Sequence, residues 1–219
     1  MKRLLIVMFS GVLCAASAEA QTCIGAVPLG TAHLQAGAQV GFTSNSHSLV
    51  PGATYAKDPY FARGGFELMS FSGVDASAKG LIGQGGAEYS VTAGTKALSV
   101  CPLITIVKNW GPSVADGFDE SSWLFGFGGS VGFVATKTGS TTVVPTLGLT
   151  INRLSTTSTG NFAGNTNSFS SSTSFGSLQL GVGLLFNDHM ALVPSLVVPF
   201  GLEGGETGVS VLFSTKIGQ

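Results

Sequence analysis

The chain has 219 residues, of which 44% are hydrophobic and only 10% charged, with 32 glycines and a formal net charge of −1. So few charges do not cover an ordinary water-facing surface, and the slight net acidity excludes nucleic acid as an expected partner. Beyond the N-terminal region no apolar stretch reaches helical spanning length, so a closed β-barrel is the remaining way to satisfy the backbone in lipid.

In chain order, the first element is an export signal. Lys2 and Arg3 precede the apolar run from Leu4 to Ala16, and Ala18-Glu19-Ala20 is a small-x-small cleavage site. Residues 1–20 are expected to be removed, 21–30 to form a periplasmic N-terminal segment, and 31–219 to form a transmembrane barrel. An apolar run of about 13 residues is too short for a retained membrane anchor. Cys14 follows Leu13 and Cys23 follows Gln21-Thr22, so neither is preceded by the small residue that lipid attachment requires.

From there the hydrophobic period is two, as in a strand with one face to lipid and the other inward. Leu34, Ala36, Ala38, Val40 and Phe42 alternate with His33, Gln35, Gly37, Gln39 and Gly41. The same split separates Trp123, Phe125 and Phe127 from Gly126, Gly128 and Ser130, then Leu147, Leu149 and Ile151 from Gly148, Thr150 and Asn152. Downstream, Leu178, Leu180 and Val182 oppose Gln179, Gly181 and Gly183, and Val209, Val211 and Phe213 oppose Ser210 and Ser214. The polar face is Gly, Ser, Thr, Gln and Asn rather than Lys, Glu and Asp, which fits a crowded barrel interior better than a solvated sheet face.

Nine segments carry the pattern plainly: 31–43, 60–72, 79–92, 98–108, 123–136, 141–154, 175–187, 192–202 and 207–217. The connections 109–122 and 155–174 are long and polar, whereas 137–140 and 188–191 are short, which sets outer loops apart from periplasmic turns. Running that parity backwards requires a tenth strand at 46–56, between a tight outer turn at Ser44-Asn45 and a periplasmic turn at Lys57-Asp58-Pro59. The expected fold is all-β: a closed antiparallel up-and-down transmembrane β-barrel of ten strands, with eight as the alternative.

With the signal, the ten-residue alternations and the glycine-rich hairpins in place, the chain resembles small bacterial outer-membrane β-barrel proteins of the opacity-like porin type. The resemblance is architectural, covers nearly the whole exported chain and has no diagnostic motif. It implies insertion in the outer membrane, with outer-membrane lipid and the outer-membrane assembly machinery as partners, and adhesion, slow solute passage or envelope support as roles. Such barrels usually end on an aromatic residue; this one ends Lys216-Ile217-Gly218-Gln219, with Phe213 the nearest aromatic.

The candidate chemistry is sparse. Among the histidines, His47 is followed directly by Ser48, His33 and His189 have no serine two residues on, and the pair Asp188-His189 falls in an expected turn. No catalytic residue, cofactor site or metal site is therefore assigned, although Asp116, Asp119 and Glu120 form an acidic group in an outer loop, more simply read as solvated. Arg63, Glu67 and Glu88 fall on inward faces, as a lumen ion pair or the lining of a wet passage. Once the signal is removed, two of the three cysteines remain in an oxidising compartment. Cys23 and Cys101 both belong at the periplasmic end, with Cys101 facing the lumen, so a disulfide between them is expected; two separate buried thiols are the alternative. The expected function is a monomeric, non-enzymatic barrel with a structural or adhesive envelope role. A small-solute channel is the first alternative, followed by a periplasmic ligand-binding barrel and a lipid-modifying enzyme.

Overall fold

The structure, a computed structural model, describes Cys23 and residues 31–73, 76–93, 96–111, 118–162 and 165–217. The export signal, most of segment 21–30 and Asp116 lie outside the described residues. Among the described residues no helix is long and apolar enough to cross a membrane.

The strands are β1 (His33–Phe42), β2 (Ser46–Lys57), β3 (Tyr60–Phe71), β4 (Ser77–Ala87), β5 (Tyr89–Ala93), β6 (Lys96–Trp110), β7 (Phe118–Gly132), β8 (Thr136–Thr138), β9 (Thr141–Phe162), β10 (Asn165–Phe186), β11 (Met190–Phe200) and β12 (Gly208–Ile217). Each neighbouring pair is antiparallel, β9 pairs with β10, and β12 returns to β1, so a ring of ten strands closes with no free edge. The two short strands are continuations of their predecessors. β5 pairs with β6 in the register that β4 keeps with β6. β8 resumes the β7 edge of β9 after one extra residue, since Gly132 faces Thr146 but Thr136 faces Val143. That insertion is a β-bulge, and the Ala135 amide donates to the Val143 carbonyl at 2.9 Å within it.

The expected tenth strand at 46–56 is present as β2, with its partners on both sides in continuous register. Prolines sit inside strands rather than only at their starts. The β2–β3 ladder skips Val50 and Pro51, and the β10–β11 ladder skips Val193 and Pro194, as the missing amide hydrogen requires. The expected outer loop 155–174 is a correction: β9 and β10 run 22 residues each and stay paired from Thr141 with Phe186 to Phe162 with Asn165. Thr and Ser face one another along this extension, and the hydroxyls of Thr157 and Ser170, and of Thr159 and Ser168, lie 3.2 Å apart. β-branched threonines with cross-strand hydroxyl contacts favour a strand without any apolar face.

The start of β1, the end of β12 and the short turns at Asp58-Pro59, Gly139-Ser140 and Asn187 to His189 share one end of the barrel, called lower here. Following the strand register once around the ring accumulates a stagger of about 12 residues. With ten strands about 4.8 Å apart and a rise of about 3.3 Å per residue, this tilts the strands by roughly 40°.

The outward face is the apolar one. Phe127, Leu149 and Ile151 are 67%, 52% and 66% exposed, and Leu34, Phe66, Leu81, Ile104, Leu180, Leu196 and Phe213 are exposed around the rest of the ring. All three tyrosines lie at the lower rim: Tyr55 and Tyr60 flank the Asp58-Pro59 turn, and Tyr89 follows Glu88, whose amide donates to the Pro59 carbonyl. Both tryptophans lie at the upper rim, Trp110 facing Lys79 and Ser121 and Trp123 facing Lys108 and Ser155. From Val100, opposite Tyr89, to Trp110 the strand β6 climbs roughly 25 Å along the barrel axis at this tilt.

Candidate functional site

The inward face is small because the sequence places glycine there wherever a neighbour's side chain crosses. A Cβ on Gly86 would stand 2.6 Å from the Phe61 ring, and one on Gly126 would stand 2.6 Å from Asn152 Oδ1. Phe61 and Asn152 therefore occupy lumen volume that these glycines leave open.

The lower half of the lumen is packed with apolar groups. Cys23 and Cys101 are joined by a disulfide with their Cα atoms 5.3 Å apart, and are 2% and 0% exposed. Ala56, Phe61 and Leu103 complete that cluster, while Val144, Leu185 and Ala191 form a second one from β9, β10 and β11 across the barrel. The bond ties the segment before β1 to the interior wall of β6, so Cys23 stands inside the barrel.

Above this plug the interior is polar and cross-bonded. Gln84 Nε2 donates to Thr105 Oγ1 at 3.3 Å, and Gln179 Nε2 donates to Ser195 Oγ at 3.2 Å. The Ser195 and Ser210 hydroxyls are 2.9 Å apart, and Asn152 Nδ2 donates to both Thr150 and Ser177. At the lower rim, beneath Cys101, Ser99 donates to the buried Glu88 carboxylate. Near the lower start of β1, level with the plug, Gln35, 1% exposed, donates from Nε2 to His33 Nε2 at 2.8 Å, and His33 Nδ1 lies 2.7 Å from the Thr31 carbonyl.

Arg63, Glu67 and Glu88 all lie on inward faces, as the alternation requires. Among the described residues Arg63 and Glu67 form no ion pair; they sit four positions apart on the same face of β3, about 13 Å along the strand. Arg63 instead borders a cavity of about 20 Å³ with Cys23, Gln35, Thr54 and Gln84. That is room for one water and no more.

His47 lies on the outward face of β2, and Asp188-His189 sits in a turn where Asn187 and Asp188 have φ of 51° and 56°. Among the described residues no three of His, Cys, Asp and Glu come together as metal ligands, and Asp116, the third member of the acidic group with Asp119 and Glu120, lies outside them. A feature the sequence reading missed is a cleft of about 520 Å³ above the upper rim, lined by Lys79, Trp110, Asp119, Glu120, Thr157 and Thr159. Its residues come from β4, β6, β7 and β9, and no local pattern could have signalled it.

The arrangement defines a closed, ten-stranded antiparallel barrel with an apolar belt outside and a filled lower lumen. No protein-family model matches the chain, and no curated protein matches it. Among solved structures it is similar to the translocator domain of the autotransporter NalP from Neisseria meningitidis, at 13% identity and a TM-score of 0.40 over 86% of this chain and 87% of that one. At that distance the likeness carries no argument about function.

Proposed function

We propose that the protein is a small outer-membrane barrel of the opacity-like porin type. In this reading a signal ending at Ala20 directs its export, the assembly machinery of the outer membrane inserts it as a monomer, and it has an envelope-structural or adhesive role without enzymatic activity. The observation that carries the reading is the outward belt. It is apolar over roughly 25 Å and bounded by tyrosine at one rim and tryptophan at the other, the dimensions and edging of a barrel in an outer membrane. The lower end then faces the periplasm, and the hydroxyl-rich β9–β10 hairpin projects from the cell surface as the element available for adhesion.

The packed lower lumen favours a plugged barrel over the alternative of a small-solute channel. The channel reading keeps one supporting observation, the inward Arg63 and Glu67, which form no ion pair among the described residues. Purified protein in planar bilayers tests the choice: insertion without conductance steps is expected, and reproducible ohmic steps in the oxidised protein would overturn the plugged reading. Recovery of the protein from the soluble periplasm, rather than as a heat-modifiable outer-membrane band, would overturn the membrane reading itself.

A further inference from the structure

Lysine and arginine are distributed unevenly over the outside of the barrel. On its upper half the outward cations among the described residues are Lys79 on β4, Lys108 on β6 and Arg153 on β9, all within four consecutive strands and at the level of the two tryptophans. Lys79 and Lys108 are diagonal neighbours across β4 and β6, since Lys79 faces Trp110 and Leu81 faces Lys108. Arg153 stands two strands from Lys108, roughly 10 Å across the sheet.

None of the three has a carboxylate partner among the described residues. Lys108 Nζ sits 5.8 Å from the Trp110 ring centroid and 5.0 Å from that of Trp123, held between two indoles. Among the described residues Arg153 has only the Ser172 hydroxyl, at 3.4 Å, and Lys79 is exposed. Three like charges gathered on the lipid-facing side call for an anion at headgroup depth.

Directly above them lies the 520 Å³ cleft, and its walls have a different chemistry. Asp119 and Glu120 repel a bare phosphate but accept hydrogen bonds from sugar hydroxyls. Thr157 and Thr159 donate and accept, and Trp110 offers a ring face. Below the cations the surface is a continuous apolar slope through Ile106, Phe125, Phe127 and Ile151.

Phosphate-binding cations between an apolar slope and a hydroxyl-binding cleft match one kind of molecule, and we propose that this face of the barrel binds a phosphorylated glycolipid of the outer leaflet. Its phosphates meet Lys79, Lys108 and Arg153, its sugars enter the cleft, and its acyl chains lie on β6, β7 and β9. The inference rests on the outer-membrane reading and deepens it.

The chain's only two tryptophans, Trp110 and Trp123, stand at the site and give a direct readout. The protein is refolded into phosphatidylcholine vesicles containing increasing fractions of a bisphosphorylated, acylated glucosamine disaccharide, and tryptophan emission is followed. A saturable shift is expected, with half-saturation raised at least tenfold in the triple variant Lys79→Gln, Lys108→Gln, Arg153→Gln and unchanged in Lys57→Gln, Lys137→Gln at the opposite rim. Lys79→Gln alone, at an exposed position, gives the same direction if the triple variant does not fold. Three results would each sink the inference: an equal response to the dephosphorylated glycolipid, an equal response to phosphatidylglycerol, or displacement by millimolar inorganic phosphate. Failure to form a protease-protected, heat-modifiable species in vesicles would instead refute the outer-membrane reading.

Discussion

The belt makes a quantitative demand on strand β9, whose outward residues step from the middle of the barrel to beyond its upper rim. Leu149 is 52% exposed, faces Gly129 on β7 and Leu178 on β10, and by the stagger of the ring lies about halfway between the tyrosine and tryptophan levels. In a bilayer, Leu149→Arg places a cation near the midplane and should cost about 2 to 4 kcal/mol, or roughly 30- to 1000-fold in the folding equilibrium. Ile151→Arg, one step higher, should cost less. Thr157→Arg, beyond the native Arg153, should cost about 0 to 1 kcal/mol. A soluble barrel makes the opposite demand, because arginine at an exposed position there changes stability by only about 0.5 kcal/mol in either direction. Urea titrations of the three variants in lipid vesicles, followed by the heat-dependent gel shift, separate the two. Equal costs within about 0.5 kcal/mol at all three positions would refute the reasoning.

Three further predictions test the plug, an outer loop and the glycine cradle. The disulfide closes a segment with a sequence separation of 78, so the double change Cys23→Ser, Cys101→Ser should lower stability by up to about 4 to 5 kcal/mol in the chain-entropy account; a urea midpoint within error of the parent, or two alkylated thiols in an unreduced digest, would contradict it. At the upper end Asn45 donates from its amide to Glu206 at 3.3 Å and also from its side chain, and hydrogen bonds from the Thr43 and Ser44 side chains hold the Glu206 carboxyl below the usual range. A lowered folded-state value means that this contribution is present above the unfolded pKa and is lost as pH falls through the folded one. The protection of the Asn45 amide against hydrogen exchange, corrected for the intrinsic rate at each pH, should therefore fall in acid, and Glu206→Gln should remove that dependence. Gly86→Ala would push a Cβ to 2.5 Å from the Pro102 carbonyl and 2.6 Å from the Phe61 ring, costing about 1 to 3 kcal/mol, whereas Gly64→Ala meets nothing within 4 Å and should be near neutral by the same titration.

The barrel was legible where its two faces meet different surroundings. Between the rims a strand has the apolar outer belt on one side and the lumen on the other, so the split between Leu147, Leu149 and Ile151 and their neighbours Gly148, Thr150 and Asn152 is visible in the sequence itself. Parity of the connections then supplied β2, whose alternation is diluted by Ser46, Ser48, Pro51 and Gly52. Above the upper rim both faces of β9 and β10 meet water, and the hydrophobic contrast vanishes. What remains is a run of Thr, Ser and Asn that reads as loop by composition, although its β-branched residues and paired hydroxyls make it a strand. With water on both faces, a hydrophobic period of two leaves no trace there.

Site geometry was legible only where one strand's own alternation decided it. The inward direction of Cys101, Arg63, Glu67 and Glu88 needed nothing more than parity, but whether Arg63 meets Glu67 depends on how the two side chains lean along β3, which parity does not decide. The cleft and the three outward cations required the register of β4, β6, β7 and β9, which fixes Lys79 beside Trp110 and Lys108 beside Trp123. Separated by 29 and 45 positions in sequence, Lys79, Lys108 and Arg153 look like scattered surface charges. The stagger of the ring brings them to one height on one side, and that common height makes the upper rim chemically distinct from the rest of the belt.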